Sequence, residues 1–214
     1  MGTAADPGGT LVVAAPVVWG RVHAVPIVAA MLDRYPGLSV QLRLSDRVVP
    51  IAEEGIDVAM RIGELKDSAM RAVRVGEVRR ILAASPAYLA ARPAPTSVAD
   101  LRAHDIIAFT GTSPLDEWRF GRNGRTSVSL RPRLVVDSAD AAIEAALRGV
   151  GVGMFLSYQV EEHLAAARLS TLLEDSMPSA LPVHLVFQAS RAGAPNIRAL
   201  IEAAMVRLQA YRAA

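Results

Sequence analysis

The chain has 214 residues, 52% of them hydrophobic and 21% charged, with a formal net charge of +2 and no cysteine. This is a globular composition, far from a disordered one, and long enough for one large α/β domain or two smaller lobes. The missing thiols exclude disulfides and thiolate metal sites and suit a reducing, cytoplasmic setting. All but one of the 23 basic residues are arginine, yet they are scattered among acidic residues and form no phosphate-binding stripe. No apolar run approaches the roughly 18 residues of a membrane span, and the opening MGTAADPGGT lacks the basic and apolar regions of a secretory signal. Residues 1–9 read as a flexible lead-in.

Thr10–Ala15 is a compact apolar strand running into Pro16, and Val17–Gly20 is expected to be a loop. A helix then carries Val22, Val25, Val28, Ala29 and Leu32 at helical spacing, with Pro26 in its first turn or kinking it. Tyr35-Pro36-Gly37 stops it. Ser39–Ser45 alternates, with Val40, Leu42 and Leu44 on one face. Glu53-Glu54-Gly55 should close a short helix, and Ile56–Ile62 returns as an apolar strand. Strand–helix–strand with short links predicts a parallel pair and a right-handed crossover.

Beyond a polar loop, Arg71–Val75 and Val78–Ala84 read as two strands around Gly76-Glu77. Ser85-Pro86 starts a short helix, and Ser97 with Asp100 three residues on caps another. From Asp105 a second sheet begins: Ile106–Phe109, Glu117–Phe120, a hairpin signal at Arg122–Arg125, then Ser127–Val136, where Pro132 marks an edge. Ser138 caps a helix through Leu147, Gly149 ends it, and Val150–Phe155 is the next strand. A helix over Ser157–Ala167, a short strand over Leu169–Leu173 and an apolar strand over Leu181–Ala189 follow. The final helix, Pro195 to Tyr211, carries an apolar stripe including Ile197, Leu200, Ala204 and Leu208. The pattern predicts α/β architecture: two Rossmann-like lobes, one built from 10–84 plus 187–214 and the other from 85–186. Two strands, near Ile81–Ala84 and Val183–Phe187, are expected to cross between them. A central cleft at strand carboxyl ends would be the ligand site.

Catalytic chemistry finds little footing. His23, His104, His163 and His184 have no metal-ligand spacing, and no nucleophile elbow occurs. Arg148–Gly153 superficially resembles a dinucleotide loop, but its glycines follow a helix and precede a strand, the reverse of what a phosphate needs. They read instead as a C-cap and a close packing point, and no cofactor is expected. Two helix starts, at Val17–Gly20 and at Asp137–Ala139, could offer N–H groups to a ligand; Ser138 reads equally well as a simple N-cap. Arg61 could clasp a carboxylate in bidentate fashion or hold Asp46, Asp57 or Glu64 in a structural pair.

Three segments, GTLVVAAPVVWGRVHAVPIVAAMLDRYPGLSVQLRLSD, EEGIDVAMRIGEL and ASPAYLAARPAPTSVADLRAHDII, together with the later VVDSADAAIEAALRGVGVGMF, resemble the effector-binding domain of LysR-type transcriptional regulators. The resemblance runs in unbroken order over nearly the whole chain. It implies the type 2 periplasmic-binding-protein fold, with a small-molecule effector in the inter-lobe cleft. Carried over by position, the effector would meet Pro16, Val17, Val18, Trp19, Arg61, Ile62 and Gly63 from the first lobe. From the second it would meet Ser85, Thr110, Gly111, Asp137, Ser138 and Phe155. The family often has Ser or Thr where this chain has Val17 and Val18, which implies a more apolar effector or contact through backbone N–H groups alone.

The resemblance further implies a homodimer or homotetramer, in which the helix over Val22–Leu32 packs on a partner. DNA contact would come only from a winged helix-turn-helix lying before residue 1, so the segment itself is expected not to bind DNA. The competing expectation, a solute-binding protein for transport on the same fold, would need a signal or lipid-attachment sequence. An enzyme on this fold would need a nucleophile, base or metal constellation.

Overall fold

The computed structural model describes residues 6–47, 50–65, 70–110 and 115–213. Strand β1 (Gly9–Ala15) leads into α1 (Val17–Trp19), a π-helical turn over Gly20–Ala24, and α2 (Val25–Arg34). Strands β2 (Leu38–Leu44), β3 (Val58–Ile62), β4 (Met70–Val78) and β5 (Arg80–Ala84) precede α3 (Pro86–Ala91). Strands β6 (Ile106–Phe109), β7 (Glu117–Phe120), β8 (Thr126–Ser129) and β9 (Pro132–Val136) then run into α4 (Ala139–Leu147). The chain closes with β10 (Val152–Leu156), α5 (Ser157–Ala165), β11 (Ser170–Leu172), β12 (Leu181–Gln188) and α6 (Pro195–Ala213).

The chain divides into two units: residues 1–77 with 181–214, and residues 78–180. The expected ends at 84 and 187 lie later than these, because β5 pairs with β10 and β11 while β12 pairs with β3 over Val183–Phe187. Each crossing strand is thus committed to one sheet along its length.

In unit 1 the strand order is β2-β1-β3-β12-β4. Strands β2 and β3 run parallel but are not neighbours; β1 lies between them and pairs with both. The segment joining β2 and β3 is not a helix where it is described. Residues 51–55 form turns instead, because Pro50 and a left-handed Gly55 (φ 62°) leave room for a single turn. Residues 17–20, expected as a loop, are helical: the Gly20 N–H reaches the Pro16 carbonyl at 2.7 Å and closes the first turn. The π-turn that follows ends two residues before Pro26, whose ring would crowd the carbonyl one turn back and whose missing N–H cannot complete an α-turn. Strand β4 continues through Gly76, where a Cβ would meet Leu208 of α6 at 3.4 Å, and breaks only at Arg79.

In unit 2 the strand order is β11-β5-β10-β6-β9, with β7 and β8 forming a separate hairpin. Pro132 begins the edge strand β9, where its missing donor costs nothing. The Asp100 carboxylate reaches back to the N–H groups of Thr96 and Ser97, each at 2.9 Å, and holds the start of the 3-10 turn Val98–Ala103. The core is a cluster that includes Leu82, Leu101, Trp118, Phe120, Val152 and Met154. Its glycines are steric: a Cβ at Gly151 would lie 2.2 Å from the Asp105 carbonyl oxygen, and one at Gly153 2.3 Å from the Phe155 ring. Gly149, with φ 75°, ends α4 as a C-cap.

Candidate functional site

In unit 1 the parallel strands β1, β2 and β3 deliver three chain segments to one edge of the sheet. Ala15 lies opposite Leu44, and Ala14 opposite Ala59, so Pro16, Ser45 and Arg61 come together at the carboxyl ends. Gly63 turns out of β3 with φ 105°, which glycine tolerates, and its N–H bonds the Pro182 carbonyl at 2.8 Å. Arg61 stands opposite His184 on β12 and is partly buried. Desolvation pulls its guanidinium below the ordinary pKa.

The N–H of Val17, the first of the helical run, donates to Asp46 Oδ1 at 3.0 Å. A carboxylate from the end of β2 therefore already occupies a helix start that the sequence offered to a ligand. Asp57, one of the partners weighed for Arg61, is engaged elsewhere: it accepts the Val12 N–H at 2.8 Å and pairs with Arg191.

Burial sorts the expected contacts of this unit. Pro16, Val17, Ile62 and Gly63 are partly exposed. Val18 and Trp19 are each 1% exposed, and Trp19 packs its ring 4.2 Å from His23 and donates to the Met60 Sδ at 2.8 Å. Trp19 is thus a core residue of unit 1. His23, buried beside it and near Arg207, has its pKa lowered to about 4, chiefly by desolvation.

In unit 2 the carboxyl ends of β6, β9 and β10 gather Thr110, Asp137 and Ser138. The Thr110 N–H bonds the Val136 carbonyl at 3.1 Å, so Thr110 sits beside the start of α4, where Ser138 Oγ accepts the Ala141 N–H at 3.4 Å. Asp137 and Thr110 are exposed. Phe155 is 2% exposed, its ring folded over Gly153. Gly111 lies outside the described residues.

Ser85 is not brought to this edge. Strand β5 runs antiparallel to β10, with Ala83 opposite Gly153 and Arg80 opposite Leu156, so the residue after β5 emerges at the amino end of β10. There its hydroxyl accepts the Tyr88 N–H at 3.3 Å and caps α3. The same antiparallel register puts Arg80, which the sequence did not single out, at the carboxyl edge. Arg80 is partly buried, and desolvation lowers its pKa. Among the described residues no cluster of three or more His, Asp or Glu could hold a metal.

Two α/β units, each with polar groups at the carboxyl ends of its parallel strands, define a ligand-binding architecture of the type 2 periplasmic-binding-protein fold. The chain belongs to the LysR substrate binding domain family, whose model matches residues 4–208. It is 30% identical over 171 residues to the HTH-type transcriptional regulator YcaN of Escherichia coli, covering 79% of this chain and 56% of that one. It is 28% identical to PtxR of Pseudomonas aeruginosa, covering 92% and 64%. The chain therefore spans under two thirds of the length of these relatives. Among solved structures, the regulatory domain of CrgA from Neisseria meningitidis superposes with a TM-score of 0.84 at 26% identity, over 94% of this chain and all of that one. The effector domain of AmpR from Pseudomonas aeruginosa shares the fold, with a TM-score of 0.76 over 95% of this chain and all of that one, at 23% identity. The chain is an effector-binding domain of the LysR type, and the transport reading is not favoured.

Proposed function

We propose that this chain is the sensing part of a cytoplasmic DNA-binding transcription regulator, and that a small-molecule effector binds at the strand carboxyl ends of its two units. The family match over residues 4–208 carries the reading. In unit 1 the effector meets Pro16, Val17, Arg61, Ile62 and Gly63; in unit 2 it meets Thr110, Asp137 and Ser138, with Arg80 added to the set. Val18, Trp19 and Phe155 shape the site from beneath, since their side chains are buried.

With no hydroxyl at residues 17 and 18 and Asp46 on the Val17 N–H, the unit 1 end favours an apolar or hydrogen-bond-donating part of the effector. Arg61 is the group suited to an acidic part. Binding shifts the population between arrangements of the regulator. DNA is contacted by a helix-turn-helix domain outside this segment, as the HTH-type names of the relatives suggest.

The regulator acts as a homodimer or larger homo-oligomer. The exposure of Val25 (49%) and Leu32 (41%), on one side of α2, supports a partner contact there.

A thermal-shift screen of small carboxylates and aromatic compounds tests the sensing role. A ligand at 100 times its Kd adds about 2.7 kcal/mol, a rise of roughly 5–10 °C for a domain of this size. The expected result is at least one such hit whose shift disappears in Arg61→Ala. A hit whose shift survives both Arg61→Ala and Asp137→Ala contradicts the proposed site.

A further inference from the structure

We propose a second ligand site on unit 1, at the amino ends of β1 and β2, that takes a small zwitterion of the α-amino-acid or short-peptide class. It goes beyond the effector reading, since it lies at the opposite edge of the sheet from Arg61.

A groove of about 680 Å³ opens there, a size ordinary for small-molecule sites. Its three walls come from distant parts of the sequence: Asp6 before β1, Arg34 and Tyr35 at the end of α2, and Arg198 and Glu202 on α6. The walls are fastened together. The Gly8 N–H donates to Asn196 Oδ1 at 2.9 Å while Asn196 Nδ2 donates to the Gly8 carbonyl at 2.8 Å, and the Gly9 N–H donates to the Gly37 carbonyl at 2.8 Å. These bonds fix the backbone of the groove walls, so the frame that carries the charged side chains need not be organised by a ligand.

The charges supply the chemistry. Two arginines and two acidic residues line one groove, and none of the four is ion-paired with another described residue. Elsewhere Arg74, Arg119 and Arg148 each pair with a glutamate within four residues. The Arg34 guanidinium instead lies 5.4 Å from the centre of the Tyr35 ring. A ligand carrying both a carboxylate and an ammonium satisfies both signs at once, with the carboxylate in bidentate contact with a guanidinium. A dianion meets Asp6 and Glu202, and a dication meets Arg34 and Arg198. Tyr35, with Pro36 and Pro195 also lining the groove, gives apolar surface for the ligand's side chain.

Isothermal titration of the chain with L-leucine, L-phenylalanine and the dipeptide leucyl-phenylalanine tests the site, with N-acetyl-phenylalanine amide as the uncharged control. Arg198→Gln and Glu202→Gln change exposed positions and should leave the fold intact. Saturable binding of a free amino acid or of the dipeptide is expected, and whichever binds identifies the source. Each Gln variant should weaken it at least tenfold, Arg61→Ala should leave it within twofold, and the blocked amide should not bind. The proposal is overturned if none of the three zwitterions binds, or if the blocked amide binds as well as they do. It is equally overturned if binding is lost in Arg61→Ala and kept in both Gln variants, for the ligand then belongs to the strand-end site. Failure at the groove leaves the effector proposal untouched, because that one is read from Arg61.

Discussion

The carboxyl ends of the two sheets are furnished differently. In unit 1 the first N–H of the helical run is taken by Asp46, a residue brought from β2 across 29 positions of sequence. In unit 2 the helix α4 is capped by its own Ser138, at 3.4 Å, with Thr110 and Asp137 exposed beside it. One helix start already holds an internal carboxylate, and beside the other two polar residues stand exposed. A helix start with a strand before it is therefore not in itself a vacant anion site; what the neighbouring strand delivers decides.

The sharpest way to break this comparison is to remove what supports each edge. Phe155→Ala empties the space over Gly153 in unit 2 and should cost about 3–5 kcal/mol, read as a fall in the urea midpoint. A cost under about 1 kcal/mol would mean that the ring is not core but available to a ligand.

In unit 1 the corresponding buried group is His23. Its folded pKa of about 4 lies below the ordinary 6.5, so the unfolded chain takes up the proton first. Stability is therefore full above pH 6.5 and falls as the pH drops toward 4, by on the order of 3 kcal/mol. Urea titrations across that window should show the slope, and His23→Gln should flatten it. An unchanged slope in the variant would place the acid sensitivity elsewhere.

Smaller effects compare the two helix starts directly. Asp46→Ala should cost about 1 kcal/mol, as loss of a capping carboxylate does, and Asp46→Asn less, because an acceptor remains. Ser138→Ala, whose bond is longer, should cost under about 1 kcal/mol. The reverse order, with Ser138 the costlier loss, would show unit 2 to be the more tightly capped edge.

For the proposed oligomer, Leu32→Glu should lower the sedimentation mass at micromolar concentration while leaving the melting curve of the monomer nearly unchanged. No change in mass would remove α2 from the interface.

Much of the scaffold was legible in the sequence because its signals are local. Pro132 at an edge strand, Ser138 and Gly149 bounding α4, and the reversed order of glycines in Arg148–Gly153 each follow from one residue's backbone chemistry. The sites were less legible because they depend on direction and adjacency. A period of two marks β5 as a strand but does not say that it runs against β10, so Ser85 was expected at the wrong end of the sheet and Arg80 went unnoticed. Strands β2 and β3 were read as neighbours because they are consecutive, whereas β1 lies between them. Trp19 and Phe155 were placed on the ligand by position, and only the packing of Trp19 on Met60 and of Phe155 over Gly153 reveals that their side chains face the core.

The central claim is that effector recognition is shared by the carboxyl edges of both units. Backbone amide chemical-shift mapping of the chain, titrated with the compound giving the largest thermal shift in the carboxylate and aromatic screen, tests it most directly. The account predicts the largest perturbations at Val17 and Gly63 in unit 1 and at Thr110, Asp137 and Ser138 in unit 2. Perturbations confined to Ser85 and Gly149, at the amino edge of unit 2, would contradict it.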